Sequence, residues 1–213
     1  CGDVVSYGPE PNECVEKVSS LKDIKIVMGN HDAACCGLKE LSWFNENAQA
    51  AIIWTSKVLT EKNRNFLKNL PNIYREENFI LSHGSPKDPI NEYLFTKKQF
   101  EENIGYFNEC LCFVGHTHIP VVYQYNVRAG SGEFYLVSDA YVLTIAEDYR
   151  YIINAGSVGQ PRDFDVRASF AMYDSAEGKI YFHRIRYDIG KTQSKMAKQS
   201  LPPFLIERLG IGR

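Results

Sequence analysis

An apolar run that leads into a glycine and three polar residues occurs at Ile24-Lys25-Ile26-Val27-Met28-Gly29-Asn30-His31-Asp32. The alternating and β-branched residues predict a buried strand, and the glycine lets the backbone turn sharply at its end. Polar side chains in that position lie at the carboxyl edge of an α/β sheet, where ligands bind. Asn30 offers an oxygen ligand, His31 a nitrogen ligand or a general acid, and Asp32 a carboxylate that can orient the imidazole. Taken by itself the stretch favours a polar turn, so the interpretation as a site depends on similar patterns elsewhere in the chain.

Three more predicted strand ends carry polar residues beside a glycine. Asp3 follows Gly2, His83 follows the strand Phe79–Ser82, and Gly115-His116-Thr117-His118 follows the strand Cys110–Val114. Four of the five histidines therefore fall at predicted strand ends, which chance clustering explains poorly. The pattern indicates one shared site at a sheet edge.

The segment between the first two strand ends predicts a strand–helix–strand unit. Glu13–Leu21 is expected to form its helix, with Asn12 as the N-cap. Such a unit favours a parallel pair of strands, so Asp3 and Asn30 are expected at the same edge of neighbouring strands.

The histidine spacing indicates metal binding. In an extended segment, residues two apart such as His116 and His118 project to the same side and can bind one metal or two adjacent ones. All the candidate ligands are nitrogen or oxygen donors, which favours Mn, Fe, Ni or Zn. Their number exceeds the needs of one tetrahedral ion, so two divalent transition metal ions are implied.

Composition limits the class of protein. The chain has 213 residues, of which 44% are hydrophobic and 23% charged, and this predicts one globular domain over residues 1–213. A net charge of −2 gives no reason to expect a nucleic-acid or membrane partner. The six cysteines lack zinc-knuckle spacing and disulfide-scaffold density, which favours reduced thiols and a cytoplasmic location.

The rest of the sequence predicts helices and antiparallel strands. Helices are expected at Asn47–Leu59, Thr60–Leu70, Lys98–Phe107 and within Lys191–Gly210. Strands are expected at Val121–Val127, Glu133–Val137, Tyr141–Ala146, Tyr151–Asn154, Ala168–Tyr173 and Lys179–Tyr187. These strands are predicted to form the second sheet of a sandwich. Trp43, Trp54 and Phe66 are predicted core residues.

The motifs in this order resemble those of the calcineurin-like metallophosphoesterase superfamily: Gly2-Asp3, Gly29-Asn30-His31-Asp32, His83-Gly84 and Gly115-His116-Thr117-His118. Three further segments, Gly2–Pro9, Asn154–Arg162 and Arg208-Leu209, resemble its small prokaryotic phosphodiesterase and phosphatase branch. The resemblance covers nearly the whole chain. It implies an α+β fold, a four-layer αββα sandwich with metals at strand ends. It also implies hydrolysis of phosphate mono- or diesters by a metal-activated hydroxide at a binuclear centre.

The resemblance also implies the metal ligands. Asp3 would bridge the two ions, and Asn30, His83 and His116 would complete one site. His118 would belong to the other. The family begins with an Asp-x-His motif on an earlier strand, and this chain starts after the place of that motif. We therefore expect a chain truncated at its N-terminus that holds one ion well and the second weakly.

The resemblance implies catalytic roles as well. His31 would protonate the leaving oxygen, with Asp32 behind it as a partner. Arg162 is a candidate clamp for the phosphate of the ester substrate, because its planar guanidinium matches two phosphate oxygens. An ordinary surface arginine is an equally good interpretation of Arg162.

Two other functions are compatible with parts of the sequence. One is a non-catalytic metal-binding scaffold or interaction protein of the same fold, against which the intact His31-Asp32 pair argues. The other is a serine hydrolase, because Ala155-Gly156-Ser157-Val158-Gly159 approximates a nucleophile elbow. That segment lacks the first glycine, and Gln160-Pro161 follows where a helix should begin.

Overall fold

The computed structural model describes all 213 residues, Cys1–Arg213. Its helices are α1 (Pro11–Ser19), α2 (Asn30–Cys35), α3 (Glu46–Val58), α4 (Glu61–Lys68), α5 (Lys97–Asn103), α6 (Ile189–Lys198) and α7 (Pro203–Glu207). Its strands are β1 (Ile73–Arg75), β2 (Phe79–Ser82), β3 (Leu111–Val114), β4 (Pro120–Asn126), β5 (Ser131–Leu136), β6 (Val142–Thr144), β7 (Tyr149–Ala155), β8 (Ala168–Asp174) and β9 (Lys179–Ile185). The longest of these helices, α3, has 13 residues, and the helices include no candidate membrane span.

The strands form two sheets. The larger has the order β1-β2-β3-β7-β4-β5, and the smaller has the order β6-β9-β8. Strands β2, β3 and β7 run parallel to one another, whereas the remaining neighbours pair antiparallel. The carboxyl ends of β2 and β3 therefore meet at one edge of the sheet, and this brings His83 close to the loop Gly115–His118.

The larger sheet is buried on both faces. Along β7, Ile152 packs into the core that contains Phe100 of α5, whereas Tyr151 and Ile153 pack with Ile180 of the smaller sheet. The alternation follows from the two-residue period of a strand. The other helices bury their apolar faces in two further clusters. Two stacked sheets, with α5 packed on the outer face of the larger one, confirm the predicted α+β sandwich.

The sheet assignment of the second half of the chain was partly wrong. Strands β6, β8 and β9 form the smaller sheet as predicted, but β4, β5 and β7 complete the larger one. In particular, β7 lies parallel to β3, with Cys112 opposite Ile152. A pattern of apolar and polar residues shows which faces of a strand are buried, but it does not specify the neighbouring strand.

The segment Ile24–Met28 does not form the predicted strand. Its only backbone hydrogen bond joins the Met28 N–H to the Pro71 carbonyl at 2.8 Å. A strand requires a neighbour that continues the hydrogen-bond ladder, and Ile24–Met28 has none. The predicted parallel pair of strands, one ending at Asp3 and the other at Asn30, is therefore wrong. Val27 and Met28 are nevertheless buried, as the apolar pattern predicts.

The start of α1 also differs from the prediction. This helix begins at Pro11, which suits the first turn because proline lacks an N–H to leave unpaired. Asn12 is not its N-cap. The Asn12 side chain instead donates to the Val58 carbonyl at 2.8 Å and accepts the Thr60 N–H at 2.9 Å, which ties α1 to the junction of α3 and α4.

The predicted core aromatics behave differently from one another. Trp54 and Phe66 are half-buried against the helical clusters, as expected. Trp43 is 71% exposed, with the ammonium of Lys39 lying 4.4 Å from its ring centroid. Trp43 ends a short 3₁₀ turn at Leu41–Trp43 rather than lying on a packed helix face, so its apolar side chain has no neighbouring layer to enter.

Candidate metal centre

Four side-chain atoms converge at the edge of the larger sheet. The Nε2 atom of His83 lies 3.0 Å from Asn30 Oδ1, 2.9 Å from His116 Nδ1 and 3.2 Å from Asp3 Oδ2. Asn30, His83 and His116 are buried, and Asp3 is mostly buried. The sequence thus places side chains from four separate segments within reach of one ion.

The outer nitrogen of each imidazole faces a carbonyl group. His83 Nδ1 lies 2.7 Å from the Cys1 carbonyl, and His116 Nε2 lies 3.2 Å from the Asn91 carbonyl. A carbonyl only accepts hydrogen bonds, so we assign the proton of each ring to this outer nitrogen. The inner nitrogens then present lone pairs to one another and to the oxygens of Asn30 and Asp3. A cation between these four acceptors would stabilise their close approach.

The charge states suit a cation. Burial disfavours the ionised form of Asp3, but the attraction of His83, His31 and His116 in their protonated forms outweighs it and holds the pKa of this carboxyl well below its usual range, so Asp3 stays ionised where the rings have lost their protons. Burial, with the nearby His83, lowers the pKa of His116 to about 3, so its ring is neutral and can coordinate.

The geometry and donor types fit a divalent transition metal. Ligand atoms that share one such ion at about 2.1 Å lie about 3 Å apart when they subtend right angles. The observed separations from His83 Nε2, 2.9 to 3.2 Å, match this spacing. Nitrogen and oxygen donors without a thiolate suit Mn, Fe, Ni or Zn.

Gly29 permits the close approach of Asp3. A Cβ atom built on Gly29 would lie 2.0 Å from Asp3 Oδ1, so any other residue would displace the carboxylate. The same oxygen accepts the His31 N–H at 2.9 Å. The glycine before Asn30 is therefore required for the contact between the two ligand segments, beyond ending the apolar run.

The loop that carries His116 and His118 is held in an uncommon backbone conformation. Both histidines have positive φ angles, 64° and 62°. Asn154 of β7 fixes the loop by donating to the Gly115 carbonyl at 2.5 Å and to Thr117 Oγ1 at 2.9 Å. Left-handed conformations of bulky residues are costly and concentrate at functional sites.

His118 lies outside the group of three candidate ligands. His118 Nδ1 lies 2.7 Å from the Gln160 carbonyl, and the His118 ring is not part of the group formed by Asp3, His83 and His116. The expectation of an extended segment here is wrong, because neither residue has an extended φ, but both histidines line the same cavity. A second ion at His118 stays a prediction.

The comparisons with known proteins agree with this geometry. The sequence model of the calcineurin-like phosphoesterase superfamily domain matches residues 1–178. The chain belongs to this superfamily. The uncharacterized protein MJ0912 of Methanocaldococcus jannaschii is 42% identical over 219 aligned positions, covering 100% of this chain and 85% of the relative.

Two solved structures resemble this member of the superfamily. The crystal structure of a metallophosphoesterase from Sphaerobacter thermophilus superposes with a TM-score of 0.90 at 40% identity, covering 100% of this chain and 86% of that one. The crystal structure of the hypothetical protein PH1004 from Pyrococcus horikoshii OT3 has a TM-score of 0.79 at 18% identity, covering 100% and 83%, and shows a shared fold. Family and site together support a phosphoesterase with a metal-binding group.

The ring of His31 lies between two aromatic rings. The superfamily resemblance implies that this residue is the acid. Its ring centroid is 4.5 Å from that of Tyr7 and 5.0 Å from that of Phe44. Its Nδ1 atom is 2.9 Å from the hydroxyl of Ser6. Burial lowers the pKa of His31 to about 4. The imidazole is thus fixed in orientation and neutral before an anionic substrate binds.

Asp32 does not make the contact with this ring that the sequence analysis predicts. Its carboxylate accepts the Gly29 N–H at 3.1 Å and the Val5 N–H at 3.2 Å, and burial, with the charge of Asp3, raises its pKa. The predicted His31–Asp32 pair is therefore wrong. Residues 30 to 35 form α2, and the third residue of a helix turns back to cap its own first turn. Ser6, which the sequence analysis did not single out, occupies the position behind His31.

Arg162 lies beside this site. Its Nε and Nη2 atoms donate to Gln160 Oε1 at 3.2 and 2.8 Å, and its backbone N–H donates to the His118 carbonyl at 3.2 Å. The guanidinium carbon is 5.9 Å from the ring centroid of Tyr7. Arg162 is therefore held in place rather than freely solvated, but its role as a phosphate clamp stays a prediction.

A cavity of about 570 Å³ connects these groups. Asp3, His31, His83, His116, His118 and Gln160 are among its lining residues. Ser157 also faces it, but the Ser157 hydroxyl accepts the Gln160 N–H at 3.0 Å and closes a turn. No histidine is hydrogen-bonded to Ser157, so the arrangement of a serine hydrolase is not formed.

Proposed function

We propose that this chain hydrolyses phosphate mono- or diesters with the help of divalent transition metal ions. Asp3, Asn30, His83 and His116 would hold one ion. The observation that carries the proposal is the meeting of three nitrogen and oxygen atoms around His83 Nε2, with the outer nitrogen of each imidazole facing a carbonyl group. The binuclear centre implied by the family would add His118 as a ligand of a second ion.

The site supplies the groups that ester hydrolysis needs. A bound divalent ion lowers the pKa of water and neutralises charge on the phosphoryl oxygens. His31 lies in the cavity with Nδ1 held by Ser6, which leaves Nε2 to give a proton to the departing oxygen. An anionic substrate raises the pKa of a nearby imidazole, so His31 would take up this proton as the ester binds. Arg162 would hold a phosphoryl oxygen.

A metal-free preparation of the full chain tests the proposal. Chelator-treated protein is reconstituted with Mn²⁺, Fe²⁺, Ni²⁺ or Zn²⁺ and assayed with p-nitrophenyl phosphate and bis-p-nitrophenyl phosphate. We expect chelation to abolish hydrolysis of at least one ester and a metal to restore it. His83→Ala should resist restoration, whereas His183→Ala, in β9 and outside the cavity, should behave as the unmodified chain.

The same assay separates enzyme from scaffold. A chain that binds metal at His83 but hydrolyses neither ester with any of the four ions would be a metal-binding scaffold, and the proposed activity would be wrong. A chain that binds no metal would overturn the site itself.

A further inference from the structure

Two exposed aromatic rings are stacked beside the metal ligand His116. The ring of Tyr93 lies against that of His116, with centroids 3.6 Å apart and planes at 25°. Phe95 lies nearly parallel to Tyr93, with centroids 5.4 Å apart and planes at 7°. Tyr93 is 41% and Phe95 52% exposed, so neither ring is explained by burial in the core.

The segment that carries the two rings is anchored. Between them, Leu94 is buried in the cluster that contains Phe100 of α5. The Phe95 N–H donates to Gln99 Oε1 at 3.0 Å, and Thr96 caps α5 directly afterwards. Residues on either side of an inward side chain project outward together in an extended segment. The aromatic pair is therefore presented at the surface by buried neighbours.

The preceding loop is equally well fixed. Asp88 Oδ1 accepts both the backbone N–H and the side-chain amide of Asn91 at 3.1 Å. The Asn91 carbonyl accepts a hydrogen bond from His116 Nε2, and the Asn91 side chain accepts one from Lys39. A surface that is already ordered pays little further entropy when a ligand binds to it.

We propose that Tyr93 and Phe95 form a stacking platform for a planar aromatic group of the ester, such as a nucleobase or an aryl ring. This inference rests on the proposed function, since it names the substrate class for the same site. Tyr93 covers a metal ligand and Phe95 stacks on Tyr93, so the stack runs from the metal site to an exposed ring. An organic substituent that extends from a phosphoryl group at the ion along this stack would meet the platform. Stacking on exposed aromatic side chains is tolerant of ring identity and strengthens binding about tenfold.

The positive charges near the platform favour an anionic aryl ligand. Lys39 donates a hydrogen bond to the Asn91 side chain, and the guanidinium carbon of Arg162 lies 5.9 Å from the ring centroid of Tyr7, which lines the same cavity as His116. The neighbouring carboxylate of Glu92 turns inward, where it accepts hydrogen bonds from Ser85 at 2.5 Å and Asn103 at 2.9 Å.

Two esters with one leaving group provide the kinetic test. Methyl p-nitrophenyl phosphate and phenyl p-nitrophenyl phosphate differ only in the substituent that is retained. With the metal-loaded chain we expect a KM about tenfold lower for the phenyl ester. Phe95→Ala should reduce this ratio to within about twofold, whereas Phe204→Ala, at a residue 54% exposed on α7, should keep it. An equal KM for both esters with the unmodified chain would overturn the platform.

A binding measurement keeps the inference independent of turnover. Phenylphosphonate and methylphosphonate cannot be hydrolysed in this way, and calorimetry with the metal-loaded chain measures their affinities. We expect phenylphosphonate to bind about tenfold more tightly, and Phe95→Ala to remove the difference. The same preference without ester hydrolysis would support the platform and refute the enzyme. Equal affinities, or a preference unchanged in Phe95→Ala, would refute the platform.

Discussion

The imidazole of His31 is oriented by Ser6, whose hydroxyl lies 2.9 Å from Nδ1. Ser6 is buried and has a φ of 119°, an uncommon backbone conformation for a residue with a side chain. Thr55 Oγ1 secures it by donating to the Ser6 carbonyl at 3.0 Å. Of the eight non-glycine residues with positive φ, four belong to this site: Asp3, Ser6, His116 and His118. Strain concentrated there indicates that the surrounding fold determines the site geometry.

Ser6→Ala removes the hydrogen bond that orients His31. We expect kcat to fall about tenfold for esters with poor leaving groups, while metal content stays unchanged, because groups that orient a functional side chain typically contribute 10- to 100-fold. Steady-state kinetics with alkyl and nitrophenyl esters, together with elemental analysis, measures both quantities. A change in KM and metal content with kcat unaffected would show that Ser6 only supports the fold.

His31→Ala removes the proposed acid itself. We expect kcat to fall roughly 10²- to 10⁴-fold for alkyl esters and less for nitrophenyl esters, since nitrophenolate departs with little protonation. Metal content should stay unchanged, because the structure does not include His31 in the metal-binding group. An equal loss for both leaving groups would assign the acid to another residue.

Asp32→Ala separates helix capping from catalysis. The carboxylate accepts the N–H groups of Gly29 and Val5, so its removal leaves two buried donors without a partner. We expect a loss of about 1 to 3 kcal/mol in the free energy of unfolding, measured by denaturant titration. The dependence of kcat on the leaving group should resemble that of the unmodified chain. If Asp32→Ala left the free energy of unfolding unchanged but showed the kinetic defect of His31→Ala, the predicted catalytic pair of His31 and Asp32 would be supported instead.

Gly29→Ala tests the contact between the ligand segments. The added methyl group would meet Asp3 Oδ1 at 2.0 Å and displace the carboxylate. We expect metal content to fall after dialysis against a fixed free metal concentration. Gly105→Ala is the matched control, because a Cβ atom there has no neighbour within 4 Å. Full metal occupancy in Gly29→Ala would show that Asp3 is not a required ligand.

The candidate ligands could be proposed from sequence because each is marked locally. A glycine and a polar residue follow a short apolar run at Asn30, His83 and His116, and this order requires no knowledge of distant contacts. The structure brings these three side chains together with Asp3, whose own strand was not confirmed.

Contacts between distant segments could not be read from the sequence in the same way. Ser6 is 25 residues from His31, and Asn154 is 37 residues from Thr117, so no local pattern connects the members of either pair. Tyr93 and Phe95 lie in a loop without periodicity, where exposed aromatics carry no predictive pattern. The sequence pattern of β7 is also compatible with several neighbouring strands, so its pairing with β3 could not be predicted.

The most direct test of the metal-dependent reaction measures two quantities in the same samples: the rate of ester hydrolysis and the number of metal ions bound per chain. Metal-free protein is titrated with Mn²⁺, and bis-p-nitrophenyl phosphate turnover is recorded at each occupancy beside His83→Ala. We predict no turnover without metal, a rise as ions bind, and neither binding nor turnover in His83→Ala. Turnover that persists in metal-free protein, or that is retained by His83→Ala, would contradict metal-dependent hydrolysis at this site.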